Sequence, residues 1–187
     1  LGFIYLDIMS RSVLLDLLSA YNTVDIVEQE MLNETIAFVK AQENCFSREL
    51  LIGHVTGSAW IINPEGTHAL MMHHRKLDRW FQPGGHCDGD PDVQAVAAKE
   101  ALEETGLEVS PLSNAVLDVD VHVIPERKGV PEHKHYDVRF LFSAEMEKEE
   151  LEHNEEANEV RWIALEKVHL FNDSESIGRL VRKVRKL

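Results

Sequence analysis

Three carboxylates, Glu100, Glu103 and Glu104, stand at spacing i, i+3, i+4 in the run KEALEETGL. On a helix these positions are neighbours on one face, spread over an arc of roughly 100°. Like charges so placed repel, and the helix sequence sets nothing basic within the cluster itself. A plain surface helix more often mixes the signs. A divalent cation between the carboxylates removes the conflict, and hard oxygen ligands suit Mg2+ or Mn2+. Just upstream, Gly84 and Gly85 permit close backbone approaches that other residues resist. The chemistry indicated is that of a metal ion held beside a glycine loop.

The full stretch 84–107, GGHCDGDPDVQAVAAKEALEETGL, resembles the Nudix box, Gly-x5-Glu-x7-Arg-Glu-U-x-Glu-Glu-x-Gly-U, with U a bulky apolar residue. Gly85, Glu100, Glu103, Glu104, Gly106 and Leu107 stand where the pattern requires them. Pro91 replaces the first Glu, Lys99 replaces Arg, and Ala101 is small at a U position. Asp90 reads as the N-cap of the helix and Pro91 as its first residue, where a missing N–H is harmless. Asp88 and Asp90 are candidates to restore the lost charge. Lys99 keeps the positive charge of Arg without its planar fork.

The resemblance implies a metal-dependent hydrolase that cleaves the pyrophosphate linkage of a nucleoside diphosphate joined to another moiety. It implies Glu100, Glu103 and Glu104 as metal ligands, the Glu103–Glu104 pair as the catalytic core, and a base from the loop before the last strand. Glu156, beside Glu155 and ahead of Trp162, is the candidate base. The implied fold is an α/β/α sandwich around a mixed α+β sheet, and dimers are common in the family, so a homodimer is an expected partner state. Two alternatives share the fold. One is a nucleotide-binding or regulatory domain without catalysis, suggested by Pro91 and Lys99. The other is an isopentenyl diphosphate isomerase-like enzyme, for which Cys87 is the candidate cysteine.

The elements that must position these groups follow from the pattern. The 187 residues, 44% of them hydrophobic, suffice for one compact domain: a helical extension over 1–45 followed by a catalytic domain over 46–187. Val13, Leu14, Leu17 and Leu18 predict a helix over 10–21. A second helix, capped by Thr23 or Asp25, runs to about Gln42 with Ile26, Met31, Ile36, Ala37 and Val39 as its apolar members. The opening LGFIYLDIM lacks a basic n-region and a cleavage site, so it is a poor signal peptide. One reading makes it an extension upstream of a natural start at Met9.

From His54 the period shifts to strands, GHVTGSAWIIN and THALMMHHR, divided by a PEG turn. A basic cluster follows, from which Arg75 and Arg79 are candidates for substrate phosphate. AVLDVDVHV and HKHYDVRFLF form a hairpin that sets Asp118, Asp120 and His122 beside His133, His135 and Asp137. Three readings of that polar patch stand: a solvated sheet face, a pocket lining with His133, His135 and Asp137 on substrate, or a separate His/Asp transition-metal site. Residues 147–158 read as an acidic loop, EVRWIAL as a strand, ALEKV as the start of a short helix. SESIGRLVRKVRKL reads as an amphipathic helix with Ile177, Leu180, Val181 and Val184 inward.

Charge narrows the partners. Nineteen basic against 33 acidic residues give a net charge of -14, which opposes binding along a nucleic-acid backbone, and no sequence-specific nucleic-acid contact is expected. An anionic substrate then needs a metal or a local basic patch. No run of 18 apolar residues predicts a membrane span. Two cysteines without a metal or disulfide pattern make a reducing cytoplasm the expected location.

Overall fold

A computed structural model describes residues 2–146, 151 and 154–186, with side chains from residue 11 onward. Much of the predicted acidic loop, namely 147–150, 152 and 153, lies outside the described residues. No described helix is long and apolar enough to cross a membrane.

Two helices open the chain, α1 (Gly2–Ala20) and α2 (Ile26–Ala41). The Asp25 carboxylate accepts the Val27 and Glu28 N–H groups at the start of α2, while the Thr23 hydroxyl accepts from the Asp25 N–H. Both predicted capping residues therefore act together. The buried face of α2 is rotated from the predicted one. Leu32, Phe38 and Val39 are buried with Glu28 and Thr35, whereas Ile26 and Ala37 face outward. The reason is polar. Glu28 accepts from the Tyr21 and Thr23 hydroxyls and the Val119 N–H, and pairs with Lys183. Apolar periodicity alone cannot register a carboxylate held inward by four donors.

The remaining elements are β1 (Gly53–Ile62), β2 (His68–His74), β3 (Arg79–Phe81), β4 (Gly84–His86), α3 (Val93–Thr105), β5 (Ser110–Ile124), β6 (His133–Ser143), β7 (Ala157–Ala164), a 3-10 turn (Val168–Leu170) and α4 (Glu175–Val184). The predicted short helix at ALEKV is this 3-10 turn. The seven strands form one mixed sheet in the order β3-β2-β1-β6-β5, with β4 also on β1 and β7 also on β2. The β1–β6 pair is parallel and the others are antiparallel, which makes the expected mixed α+β sheet.

Strand alternation divides β1 between two faces. Val55, Ala59 and Ile61 join the core beneath α1, α2 and α3, with Val119, Val138 and Phe140. Trp60 and Ile62 join a second core with Ile177, Leu180, Val181 and Val184 of α4, the four inward residues expected. On that second face Thr56 and Ser58 continue the row as polar groups. Strand β1 also changes partner along its length. Residues 56–58 pair with β4, and Ile62 pairs with β2. Apolar side chains thus close the sheet at one end, while polar ones remain where the box loop passes over it.

Candidate active site

The box helix starts later than its sequence suggests. The Asp92 carboxylate caps α3 by accepting the Ala95 N–H, and Val93 is the first helical residue. Asp90 accepts the Asp92 N–H and Pro91 sits in the turn between them. The prediction of Asp90 as cap and Pro91 as first residue is therefore displaced by one local hydrogen bond. Asp88 does not stand free to replace the missing carboxylate, because Arg48 holds it in a two-pronged ion pair. At the other end Gly106 closes α3 in the left-handed region, φ 67°, as a glycine C-cap does.

The three helix carboxylates face one cleft of about 960 Å³, and Glu156 faces it from the chain just before β7. Glu104 is 5% exposed, with Oε2 accepting the Gly84 N–H at 3.0 Å. Burial pushes its carboxyl up to about 8. The Gly84 N–H opposes the rise, and the charges of Glu100, Glu156 and Glu103 add to it. Glu100 is also raised, first by burial and then by Glu103. It lies against Gly85 so closely that a Cβ there would meet its carboxyl carbon at 2.5 Å. A side chain at position 85 would push that carboxylate out of its present seat. Glu103 is more exposed and pairs with Lys99 at 3.4 Å, so a base of the helix does reach the cluster, at its solvent edge.

Gly84, Gly85, His135 and Asp137 line the same cleft, but the two predicted arginines do not. Arg75 donates to the Asn158 side chain and the Ala157 carbonyl. Arg79 lies 3.6 Å from Asp173. The cations on the wall are instead Arg48, Lys76, Lys99, Arg127 and Arg139. Arg127 comes from the β5–β6 turn, in the run IPERKGVPE. His133 is set back from the cleft wall beside His54. Cys87, required by the isomerase alternative, is buried off the wall, and burial pushes its thiol far up.

The paired rows on β5 and β6 form as expected: Asp120 opposes Asp137 and His122 opposes His135. They are not a solvated face, since Asp118, Asp120 and Asp137 are buried. Arg139 donates to Asp137 at 2.8 Å and to Asp118 at 3.2 Å. Arg179 donates to Asp118 at 2.7 Å and to Asp120 at 3.0 Å. Thr56 and Ser58 donate to Asp137. Burial alone would raise Asp118 and Asp120, but these partners hold both well below the usual carboxylate range. The three aspartates of these rows, with Arg139 and Arg179, form a buried ion-pair network that supplies the floor of the cleft.

Comparison with known proteins identifies the family and the fold. The NUDIX domain family model matches residues 54–184. Phosphatase NudJ of Escherichia coli K12 is 30% identical over 91 residues, or 48% of this chain and 54% of that protein, so the match spans about half the length of the curated relative. A Caenorhabditis elegans Ap4A hydrolase binary complex aligns over 71% of this chain and 95% of its own, with 19% identity and TM-score 0.57. A MutT protein from Methanosarcina mazei Go1 aligns over 72% and 94%, with 18% identity and TM-score 0.54. These structural likenesses establish the shared fold, and the family match covers most of the sequence. The chain belongs to the Nudix family of hydrolases.

Proposed function

We propose that the chain is a metal-dependent pyrophosphohydrolase acting on a nucleoside diphosphate linked to another moiety. The observation that carries this reading is the convergence of Glu100, Glu103, Glu104 and Glu156 on one cleft, whose most buried member, Glu104, is held among the described residues by a single backbone N–H. The donor set fits a hard divalent ion. All the groups are carboxylate oxygens, and the close seat of Glu100 on Gly85 aims it inward. Glu100, Glu103 and Glu104 would hold Mg2+ or Mn2+, which supplies positive charge to phosphoryl oxygens and acidifies water.

The chain's own groups do the rest. The Gly84 N–H fixes the orientation of Glu104, and Gly85 keeps the loop backbone low against Glu100. Glu156 accepts the proton of the attacking water, a task for a carboxylate not committed to metal. Its backbone is anchored on both sides: the Glu156 N–H donates to Asn154 and the Glu156 carbonyl accepts from the Arg75 N–H. Arg75 thus positions the base rather than touching phosphate. Lys76 and Arg127 bring cationic charge for the phosphates. His135 and Asp137 sit on the floor, while Met72, Phe81, Ile124 and Ile177 offer apolar wall to the rest of the substrate. A cytoplasmic setting accords with the burial of both cysteines, Cys45 and Cys87.

The test is an activity screen over nucleotides, dinucleotides and nucleotide sugars with Mg2+, with the products identified. Release of a mononucleotide or phosphate product supports the reading. Tight binding of one compound with no turnover of any would replace it by a binding module.

A further inference from the structure

We propose that His54, His133 and His135 form a second metal site, of the zinc class, distinct from the carboxylate wall. The parallel register of β1 and β6 sets His54 directly opposite His135. His133 lies two residues earlier on β6, hence on the same face as His135. One ring nitrogen from each of the three lies within 4.8 Å of the others. A tetrahedral zinc ion with bonds of about 2.0–2.1 Å sets its ligands about 3.4 Å apart, a gap that small side-chain rotations close.

The hydrogen-bond inventory points to a ligand. His54 is 3% exposed, and neither of its ring nitrogens has a partner of normal geometry among the described residues. The Leu50 carbonyl lies near enough to raise the ring's pKa as a hydrogen-bond acceptor, but no bond of normal geometry forms. His135 Nε2 is likewise buried and unpartnered. Buried polar atoms left so are unfavourable and uncommon. His133 Nδ1 lies 2.8 Å from the Pro131 carbonyl. A carbonyl only accepts, so Nδ1 carries the proton and Nε2 presents its lone pair outward, the arrangement of metal-bound histidines. Burial and the neighbouring imidazoles push His54 down to about 4 and His135 to about 2, so both offer neutral lone pairs at neutral pH.

Donor chemistry sorts the two sites. Imidazole nitrogen selects zinc-like ions, whereas the carboxylate wall selects magnesium-like ones. Three histidines leave a coordination position open, and His135 belongs to the cleft wall, so an ion here adjoins the substrate space. His86, with its ring centroid 5.0 Å from His54, flanks the group on the cleft side.

The experiment is Zn2+ binding to the whole chain by equilibrium dialysis with Mg2+ in excess, repeated with Co2+ to read imidazole ligation in the visible spectrum. One tightly held Zn2+ per chain is expected. The variant His133→Ala should weaken it by more than about 100-fold, the upper range seen for loss of a group one shell further out. Zn2+ should raise the melting temperature of the wild type and not of His133→Ala, which keeps the proposal testable if His54→Gln fails to fold. The double variant Glu103→Gln/Glu104→Gln should retain the ion. No Zn2+ on the wild type, undiminished binding in His133→Ala, or loss of the ion in the carboxylate variant would each overturn the site.

Discussion

Two acidic clusters border one cleft on opposite electrostatic terms. On the box helix Glu104 is buried with one N–H for company among the described residues, and Glu103 meets Lys99 at the solvent edge. On the sheet floor Asp118, Asp120 and Asp137 are buried against Arg139 and Arg179. The carboxyl of Glu104 is driven up, and those of Asp118 and Asp120 are held down. Similar burial with opposite compensation separates a cluster awaiting positive charge from one that already has it. The first is suited to chemistry and the second to holding shape.

Substitutions should separate the two. Glu104→Gln is expected to lower turnover by about 10²–10⁴-fold while leaving the metal-free fold as stable or more so, since a raised carboxyl is easily replaced by a neutral amide. Steady-state rates and denaturant melts check both halves. Asp118→Asn should do the reverse. It takes one buried carboxylate from Arg139, Arg179 and Lys183 at once, and unfolding curves should show a loss of about 3–5 kcal/mol. If Asp118→Asn is neutral and Glu104→Gln unfolds the protein, the comparison is broken.

Glu156→Gln sharpens the catalytic half. Turnover should fall by about 10²-fold or more, while Mg2+ affinity measured by calorimetry stays within about twofold. An unchanged rate would remove Glu156 as the base.

The pH response should also differ between clusters. The fold raises Glu104 above its ordinary 4.5 to about 8. Its contribution to metal-free stability is complete below the ordinary value and is lost as pH rises through about 8. Asp120 is held below its ordinary 3.8, so its contribution is complete above that value and is lost as pH falls through its folded value. Melting temperatures of wild type and Glu104→Gln, taken in EDTA from about pH 5 to about pH 9, should diverge toward alkali. Added Mg2+ should remove the wild type's deficit. The smallest effect belongs to Lys99→Ala. The Lys99–Glu103 pair is exposed on both sides, and its removal should change stability by less than about 1 kcal/mol.

Much of this was legible in the chain. The spacing of Glu100, Glu103 and Glu104 gave the acidic wall, and strict alternation gave the β5–β6 hairpin with the correct rows opposed. What sequence could not supply was pairing over distance. Arg179 lies 61 residues from Asp118 and turns a row that resembled a solvated face into a buried network. Arg48 lies 40 residues from Asp88 and removes that carboxylate from the list of spare charges. Glu28 was invisible as a core residue because its donors come from a helix end, a strand and α4. Arg75 and Arg79 shared a basic run, but neighbouring Asn158 and Asp173 engage them first. Local signals reported which residues could act. Long-range partners decided which of them remained available.

The bonds from α2 to β5 have a consequence for self-association. Strand β5 is the last of its sheet, so its outer N–H and C=O groups form a ready template for another strand. Glu28 takes the Val119 N–H, Met31 Sδ meets the Val121 N–H at 3.2 Å, and the Lys183 ammonium donates to the Leu117 carbonyl. Side chains from α2 and from α4 thereby occupy the rim that a second molecule would need for strand addition. The family match begins at residue 54, yet the groups that cover residues 117–121 of this edge lie partly before it.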